Sequence, residues 1–301
     1  MLQKQNPKNK DLILNMDGQL VHRDEAGVSP FDSSFQNGDT VWEGLRLYQG
    51  RIFRLQEHLD RMRKGATMLR YQGIPSDEKI IDELRRTLEA NDMTDNVHIR
   101  LVLSRGLKYT SGMDPRINLE GCSLFVLAEH KPPVYDRSGV RLITANQRRP
   151  FADILDQTIH SSNQLTSILA KMEAIEAGVD DALMLDPDGN MAETNATHVF
   201  VVKDGIVHTS TTRACPEGIT RATVLELCEK HEIPHQIRDI PVAEVHEADE
   251  VFCTGTMGEI VPVVQLDETV FNLEEEGPVT GRIASLYTAL TRSEGYRIIP
   301  V

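Results

Sequence analysis

Cys215-Pro216-Glu217-Gly218-Ile219-Thr220-Arg221 runs directly into an apolar-periodic stretch, Ile219 to Glu229. A glycine entering a helix leaves backbone N–H groups free at the positive end of the dipole, and Thr220 adds a hydroxyl. The segment therefore has the makings of a phosphate cradle, in which Ile219 and Thr220 are the donors. The plain alternative is an ordinary helix start, whose donors bind water or their own caps. Thr254-Gly255-Thr256-Met257-Gly258-Glu259 follows the apolar run Val251-Phe252-Cys253 and suits either an anion or a simple tight turn. Arg61 stands four residues after Glu57 in a helical pattern, as half of a surface ion pair or as an anion-binding guanidinium. Glu193, in Met191-Ala192-Glu193-Thr194-Asn195, reads by itself as a solvated turn carboxylate.

Outward from these segments, strands and helices alternate without a single repeating unit. Asp17-Gly18 and Gln49-Gly50 each sit between short apolar runs and mark hairpins. Helices are expected over Leu55 to Arg70, with Leu55, Leu59, Met62, Ala66 and Leu69 inward, and from Ser76, burying Ile80, Ile81, Leu84 and Leu88. Strands follow at Val97 to Ser104, Ser123 to Ala128 and Val140 to Thr144. A helix over Gln164 to Ala177 should turn Leu165, Ile168, Leu169, Met172 and Ile175 inward. The polar, proline-bearing stretch His130 to Ser138 reads as a linker. Mixed hairpins and helices of this kind imply an α+β fold rather than a doubly wound parallel sheet.

Composition bounds the function. The chain has 301 residues, 40% hydrophobic and 26% charged, with a net charge of −14. At roughly 150 residues per domain this suggests about two domains. The acidic balance argues against nucleic acids and anionic membrane surfaces as partners, because both would repel it. No apolar run approaches the roughly 20 residues of a membrane span, and the basic segment Met1 to Asp11 has no apolar stretch behind it to make a signal peptide. The four cysteines and ten histidines show no ligand spacing, so no metal is expected. A cytoplasmic protein is the expectation.

Taken together and in order, the segments resemble the class IV pyridoxal-phosphate aminotransferases, the group of branched-chain and D-amino acid aminotransferases and aminodeoxychorismate lyase. The resemblance rests on Val41-Trp42-Glu43-Gly44-Leu45-Arg46, Glu57-His58-Leu59-Asp60-Arg61, Ala192-Glu193 with Val199 to Gly205, Gly218-Ile219-Thr220-Arg221, and Gly255 to Pro262. It implies a small α/β N-terminal domain (1–132), a linker (133–138) and a larger domain with a barrel-like sheet (139–301). It further implies a homodimer that binds pyridoxal or pyridoxamine phosphate and acts on an amino acid or 2-keto acid. By the same resemblance, Arg61, Ile219, Thr220 and Thr256 would hold the cofactor phosphate, and Glu193 would face the pyridine nitrogen. Met257 and Gly258 would offer N–H groups to a substrate carboxylate, and Asn37, Arg46 and Arg100 would fall in the substrate pocket.

One position departs from the pattern. The family's Schiff-base lysine precedes an asparagine that is here Asn163, and the corresponding residue is His160, or Ile159 in the other register. No lysine lies between Lys131 and Lys171; a loop lysine, Lys108 or Lys131, would have to swing in to replace it. Imidazole is not a primary amine and cannot be the imine partner, but it can carry protons near neutrality. The open alternatives are an aminotransferase-like enzyme with His160 as its base, a cofactor- or metabolite-binding pseudoenzyme, and a related enzyme that uses the cleft without pyridoxal phosphate.

Overall fold

A computed structural model describes residues 6–119, 121–135, 137–271 and 277–300; Met1 to Gln5 of the basic segment and Asp136 of the expected linker lie outside them. The chain divides into two compact units. One runs through Pro132 and includes Ile159–Asn163 and the residues from Thr291; the other comprises Pro133–Thr158 and Gln164–Leu290.

The first unit is an antiparallel sheet backed by helices. Its strands are β1 (Ile13–Met16), β2 (Gln19–His22), β3 (Thr40–Tyr48), β4 (Arg51–Ile52), β5 (Val97–Ser104) and β6 (Ser123–His130). They lie in the order β4-β3-β5-β6-β1-β2, and Tyr296–Arg297 adds a strand outside β4. Asp17 and Gly18, at φ 55° and 84°, make the left-handed turn that closes the first hairpin, a conformation that favours glycine. Between β2 and β6 come the short helix α1 (Ser33–Asn37), then α2 (Leu55–Met68) and α3 (Asp77–Ala90). Ser76 caps α3 by accepting from the Lys79 amide, with Asp77 and Glu78 in the first turn favouring the positive end of the dipole. The pleat of β3 sends Val41, Glu43, Leu45 and Leu47 to the face that carries the core, where Leu59, Met62, Ala66, Ile80, Leu84 and Leu88 pack. Trp42, Gly44, Arg46 and Tyr48 take the opposite face.

The second unit holds a nine-stranded mixed sheet. Its strands are β7 (Val140–Arg148), β8 (Asp181–Leu185), β9 (Met191–Thr194), β10 (His198–Lys203), β11 (Ile206–Thr209), β12 (His235–Ile237), β13 (Glu250–Gly255), β14 (Glu259–Leu266) and β15 (Thr269–Val270). The order is β12-β11-β10-β13-β14-β7-β8-β9, and the sheet curls until β9 lies beside β10, the barrel-like arrangement that the resemblance implies. Four helices accompany it: α4 (Leu165–Glu176), α5 (Ile219–Lys230), α6 (Val242–His246) and α7 (Pro278–Ser293).

Helix α4 corrects one expectation. Leu165, Ile168, Leu169, Met172 and Ile175 all face outward, Leu165 67% and Ile175 64% exposed, while Ser167, Ala170 and Ala174 are buried. The small side chains let the helix settle closely on Ala145, Ala182 and Met184 of β7 and β8. The helix is therefore apolar on both sides, and periodicity alone picked the larger residues.

Candidate functional site

In the first unit, Glu43 is the organising residue. It is a carboxylate on the core face of β3, fully buried, which is tolerable only if its charge is paired and hydrogen-bonded. His58 Nδ1 lies 2.6 Å from Glu43 Oε2, and Arg61, one helical turn on, donates Nε to Oε1 at 2.8 Å and Nη2 to Oε2 at 2.6 Å. Burial by itself would raise the Glu43 carboxyl; Arg61, with His160 beside it and a hydrogen bond from His58, overrides it and holds the group well below the usual carboxylate range. The surface ion pair expected between Glu57 and Arg61 does not form, because the guanidinium turns inward to Glu43 and Glu57 pairs with Arg54 at 3.0 Å instead.

His160 is the fourth member of this group. Its Nδ1 is 2.6 Å from the Trp42 carbonyl oxygen, 3.6 Å from Glu43 Oε1 and 3.4 Å from Arg61 Nη2. A carbonyl only accepts, so Nδ1 carries the proton and the neutral ring keeps its lone pair at Nε2. Burial and the Arg61 charge pull the imidazole below its ordinary pKa, against the opposing pull of Glu43. Ile159, the other register, packs instead at the edge of the core beside Gly65.

On the far face of the sheet, Arg46 is buried with its guanidinium 5.4 Å from the Tyr48 ring, and Arg100 lies 3.9 Å over the Trp42 ring. Between them in the β3–β5 ladder is His98, 8% exposed, neither of whose ring nitrogens has a hydrogen-bond partner. Burial, then Lys131, Arg46 and Arg100, bring its pKa down to about 3. Asn37, exposed at the end of α1, accepts from Lys108 Nζ at 2.6 Å. Lys108 is itself buried and also donates to the Gly112 carbonyl at 2.7 Å, so it is tied down rather than ready to swing.

In the second unit, Glu193 at the end of β9 is buried, not the solvated turn residue its neighbours suggest, and takes Arg149 Nη2 at 2.9 Å. Arg149 is held in turn by the Ser167 hydroxyl at 3.0 Å and the Thr194 carbonyl at 3.3 Å. His198 Nε2 is 3.8 Å from Glu193 Oε2, and Cys215 completes a buried trio of ligand-type atoms within 4.8 Å of one another, which the sequence spacing did not reveal. Burial and then Glu193 push the Cys215 thiol upward, while Arg221 and Arg149 supply the local positive charge.

Helix α5 begins here. Gly218 is its N-cap, with no side-chain cap, and a Cβ at that position would come within 2.4 Å of His198 Nε2. Ile219 is half-buried and Thr220 buried in the first turn, while Arg221 donates to the Ser210 carbonyl at 2.8 Å. The Thr254 hydroxyl is buried without a hydrogen-bond partner, and Thr256, Met257 and Gly258 form the turn that follows β13. A Cβ on Gly258 would fall 2.5 Å from the Tyr135 ring, so only glycine fits that turn.

A family model described as amino-transferase class IV matches residues 40–266. The chain belongs to the class IV aminotransferase family. Branched-chain-amino-acid aminotransferase-like protein 2 of Arabidopsis thaliana is 50% identical over 97% of this chain and 52% of its own length. Like-protein 1 of the same plant is 48% identical over 97% of this chain and 53% of its own length, so the chain spans about half the length of these relatives. A putative branched-chain-amino-acid aminotransferase of Methanocaldococcus jannaschii is 35% identical over 94% of this chain and 98% of its own. Among solved structures, a T.th. branched-chain amino acid aminotransferase complexed with N-(5'-phosphopyridoxyl)-L-glutamate superposes with a TM-score of 0.87 at 30% identity, covering 94% of this chain and 95% of that one. The branched-chain aminotransferase of Thermoproteus uzoniensis with norvaline gives 0.86 at 28%, covering 94% and 96%.

In this class IV aminotransferase chain, residue-level reading gave no site role to Glu43, His98, Arg149 or His198. Glu43 had a usable signal, a charge at the inward position of an alternating strand. Arg149 had none, since nothing local says which way Arg148 and Arg149 point.

Proposed function

We propose that this chain binds pyridoxal or pyridoxamine phosphate noncovalently and exchanges amino groups between amino acids and 2-keto acids, with His160 moving the proton. The observation that carries the reading is the pairing, in one chain, of an uncapped α5 N-terminus with a neutral imidazole of fixed tautomer at residue 160.

The donors fit the cofactor. The first-turn amides of α5, the Thr220 hydroxyl and the partnerless Thr254 hydroxyl suit a phosphate dianion, to which Thr256 would add a further hydroxyl. Arg61, to which the resemblance gives a phosphate role, serves Glu43 within its own unit. Glu193, held by Arg149, would accept from a protonated pyridine nitrogen. When bound, the cofactor supplies an electron sink for the carbon that loses its proton.

This chain's own residues would do the rest. His160 takes and returns that proton at Nε2, and its lowered pKa keeps it neutral and ready to accept. Arg100, with no ion-pair partner among the described residues, would draw a substrate carboxylate; Arg46 and Asn37 keep the substrate roles that the resemblance gives them in the same unit, and in the other unit the Met257–Gly258 turn would offer amides. The outward stripe of α4 supports a homodimer in which a second copy covers Ile168 and Met172. Sedimentation should then show a dimer that Ile168→Glu converts to monomer.

The test of the function is an absorbance titration with pyridoxal phosphate followed by an amino acid panel. A free-aldehyde spectrum that moves only on adding an amine supports the reading. A spectrum of lysine-bound cofactor before any amine is added refutes it, as does the absence of any spectral change.

A further inference from the structure

Lysine reaches its target on a flexible four-carbon stem; an imidazole has two rotatable bonds and two unlike nitrogens, so a histidine in that place works only if its plane and tautomer are set beforehand. In the first unit both are set by one residue. The segment 159–163 runs beside the start of β3 as a short extra strand: Trp42 N–H donates to the His160 carbonyl at 3.0 Å, Ser162 N–H to the Thr40 carbonyl at 3.2 Å, and Val41 bridges Ser161. The Trp42 indole Nε1–H donates to the Ser161 carbonyl at 3.1 Å, pinning the peptide that follows His160. The indole ring stacks on the imidazole, centroids 4.4 Å apart and planes 26° apart, and the Arg100 guanidinium lies against the indole as well. Finally, the Trp42 carbonyl takes the Nδ1 proton at 2.6 Å.

We propose that Trp42 is the positioning residue of His160: its carbonyl assigns the proton to Nδ1, and its indole fixes the ring plane that presents Nε2. The proposal rests on the reading of His160 as the proton carrier, but its geometry stands apart from that reading. Charge around the ring is mixed: Arg61 faces it from α2 and Glu43 from β3, with His58 beyond Glu43. Because Nδ1 already donates to the carbonyl, it cannot also accept from Arg61, whose effect is that of a neighbouring cation. The carbonyl contact therefore decides the tautomer.

The test is long-range proton–nitrogen NMR on cofactor-free protein with labelled histidines, residue 160 being assigned by comparison with His160→Gln. The expected spectrum is a neutral Nδ1–H ring that titrates below the ordinary value of about 6.5. Trp42→Leu keeps the backbone carbonyl but removes the indole that holds the ring plane against it, so that hydrogen bond should loosen, giving a mixture of tautomers and a midpoint moved up toward that value, whereas Trp42→Phe, which retains a stacking face, should stay near the wild-type pattern. An Nε2–H ring in the wild-type protein overturns the proposal even if no variant folds, and so does an unchanged tautomer and midpoint in folded Trp42→Leu. In turnover, Trp42→Leu should lower kcat by roughly tenfold with KM little altered. If His160→Gln turns over as fast as wild type while the tautomer is as expected, the proton-carrier reading fails and the positioning contact stands.

Discussion

In the first unit, Glu43 takes protons from His58 and Arg61 and lies beside His160, so its charge is met by side chains of the same small group. In the second unit, Glu193 has Arg149, yet the uncapped first turn of α5 and the partnerless Thr254 hydroxyl leave donors over. One cluster has its charges met internally; the other has donors to spare. A buried charge network that is complete stabilises and fixes geometry, whereas surplus donors cost stability until something binds them. Under the proposed function, the difference lets a chain of net charge −14 offer a local site to phosphate.

Acid should separate the regions most strongly. The folded state refuses a proton at His98 until about pH 3, while the unfolded chain accepts one near 6.5, so stability falls as pH drops through that window, by on the order of 5 kcal/mol in all. Glu43 acts in the same direction: its contribution is present above the ordinary carboxylate pKa and is lost as pH falls through its lowered folded value. Urea midpoints across the range would check this, and His98→Phe should flatten the curve; an unflattened curve would move the acid sensitivity elsewhere. Next in size, Glu43→Ala leaves Arg61 and His58 without their counter-charge and should cost about 3–5 kcal/mol in urea unfolding. Thr220→Val should show the converse, within about 0.5 kcal/mol of wild-type stability but with roughly tenfold weaker pyridoxal phosphate binding by absorbance. Equal stability losses in these two variants would erase the distinction between the clusters. Smallest, Glu57→Ala removes only the Arg54 surface pair and should cost about 0.2–0.5 kcal/mol; a much larger loss would make Glu57 a support of Arg61 after all.

Most of the element pattern was readable because strand alternation and turn chemistry are local. Val97–Ser104 forms as the sequence implies, and Asp17-Gly18 closes its hairpin. Helix α4 was misjudged because periodicity reports which residues share a face, not which face a sheet will cover, and two alanines with a serine proved the better contact. Arg61, Glu193 and Thr220 were picked out as candidates through their place in ordered motifs. Their partners were hidden by sequence distance: Arg61 and Glu43 are 18 residues apart, and His160 lies 118 residues from the Trp42 carbonyl it meets. Such pairings exist only after the sheet has formed, so nothing local announces them. That no lysine stands at residue 159 or 160 was visible at once, whereas the contacts that orient His160 were not.

Trp42 is the chain's single tryptophan, and it lies between Arg100 and His160. All indole fluorescence of the protein therefore originates at one face of the imidazole. A protonated imidazole in contact with an excited indole quenches it, so emission should dim as His160 takes up a proton and recover as the proton leaves. The same ring should respond when an anion settles on Arg100. With no label and no cofactor absorbance to subtract, the protein carries an optical gauge of its first cluster.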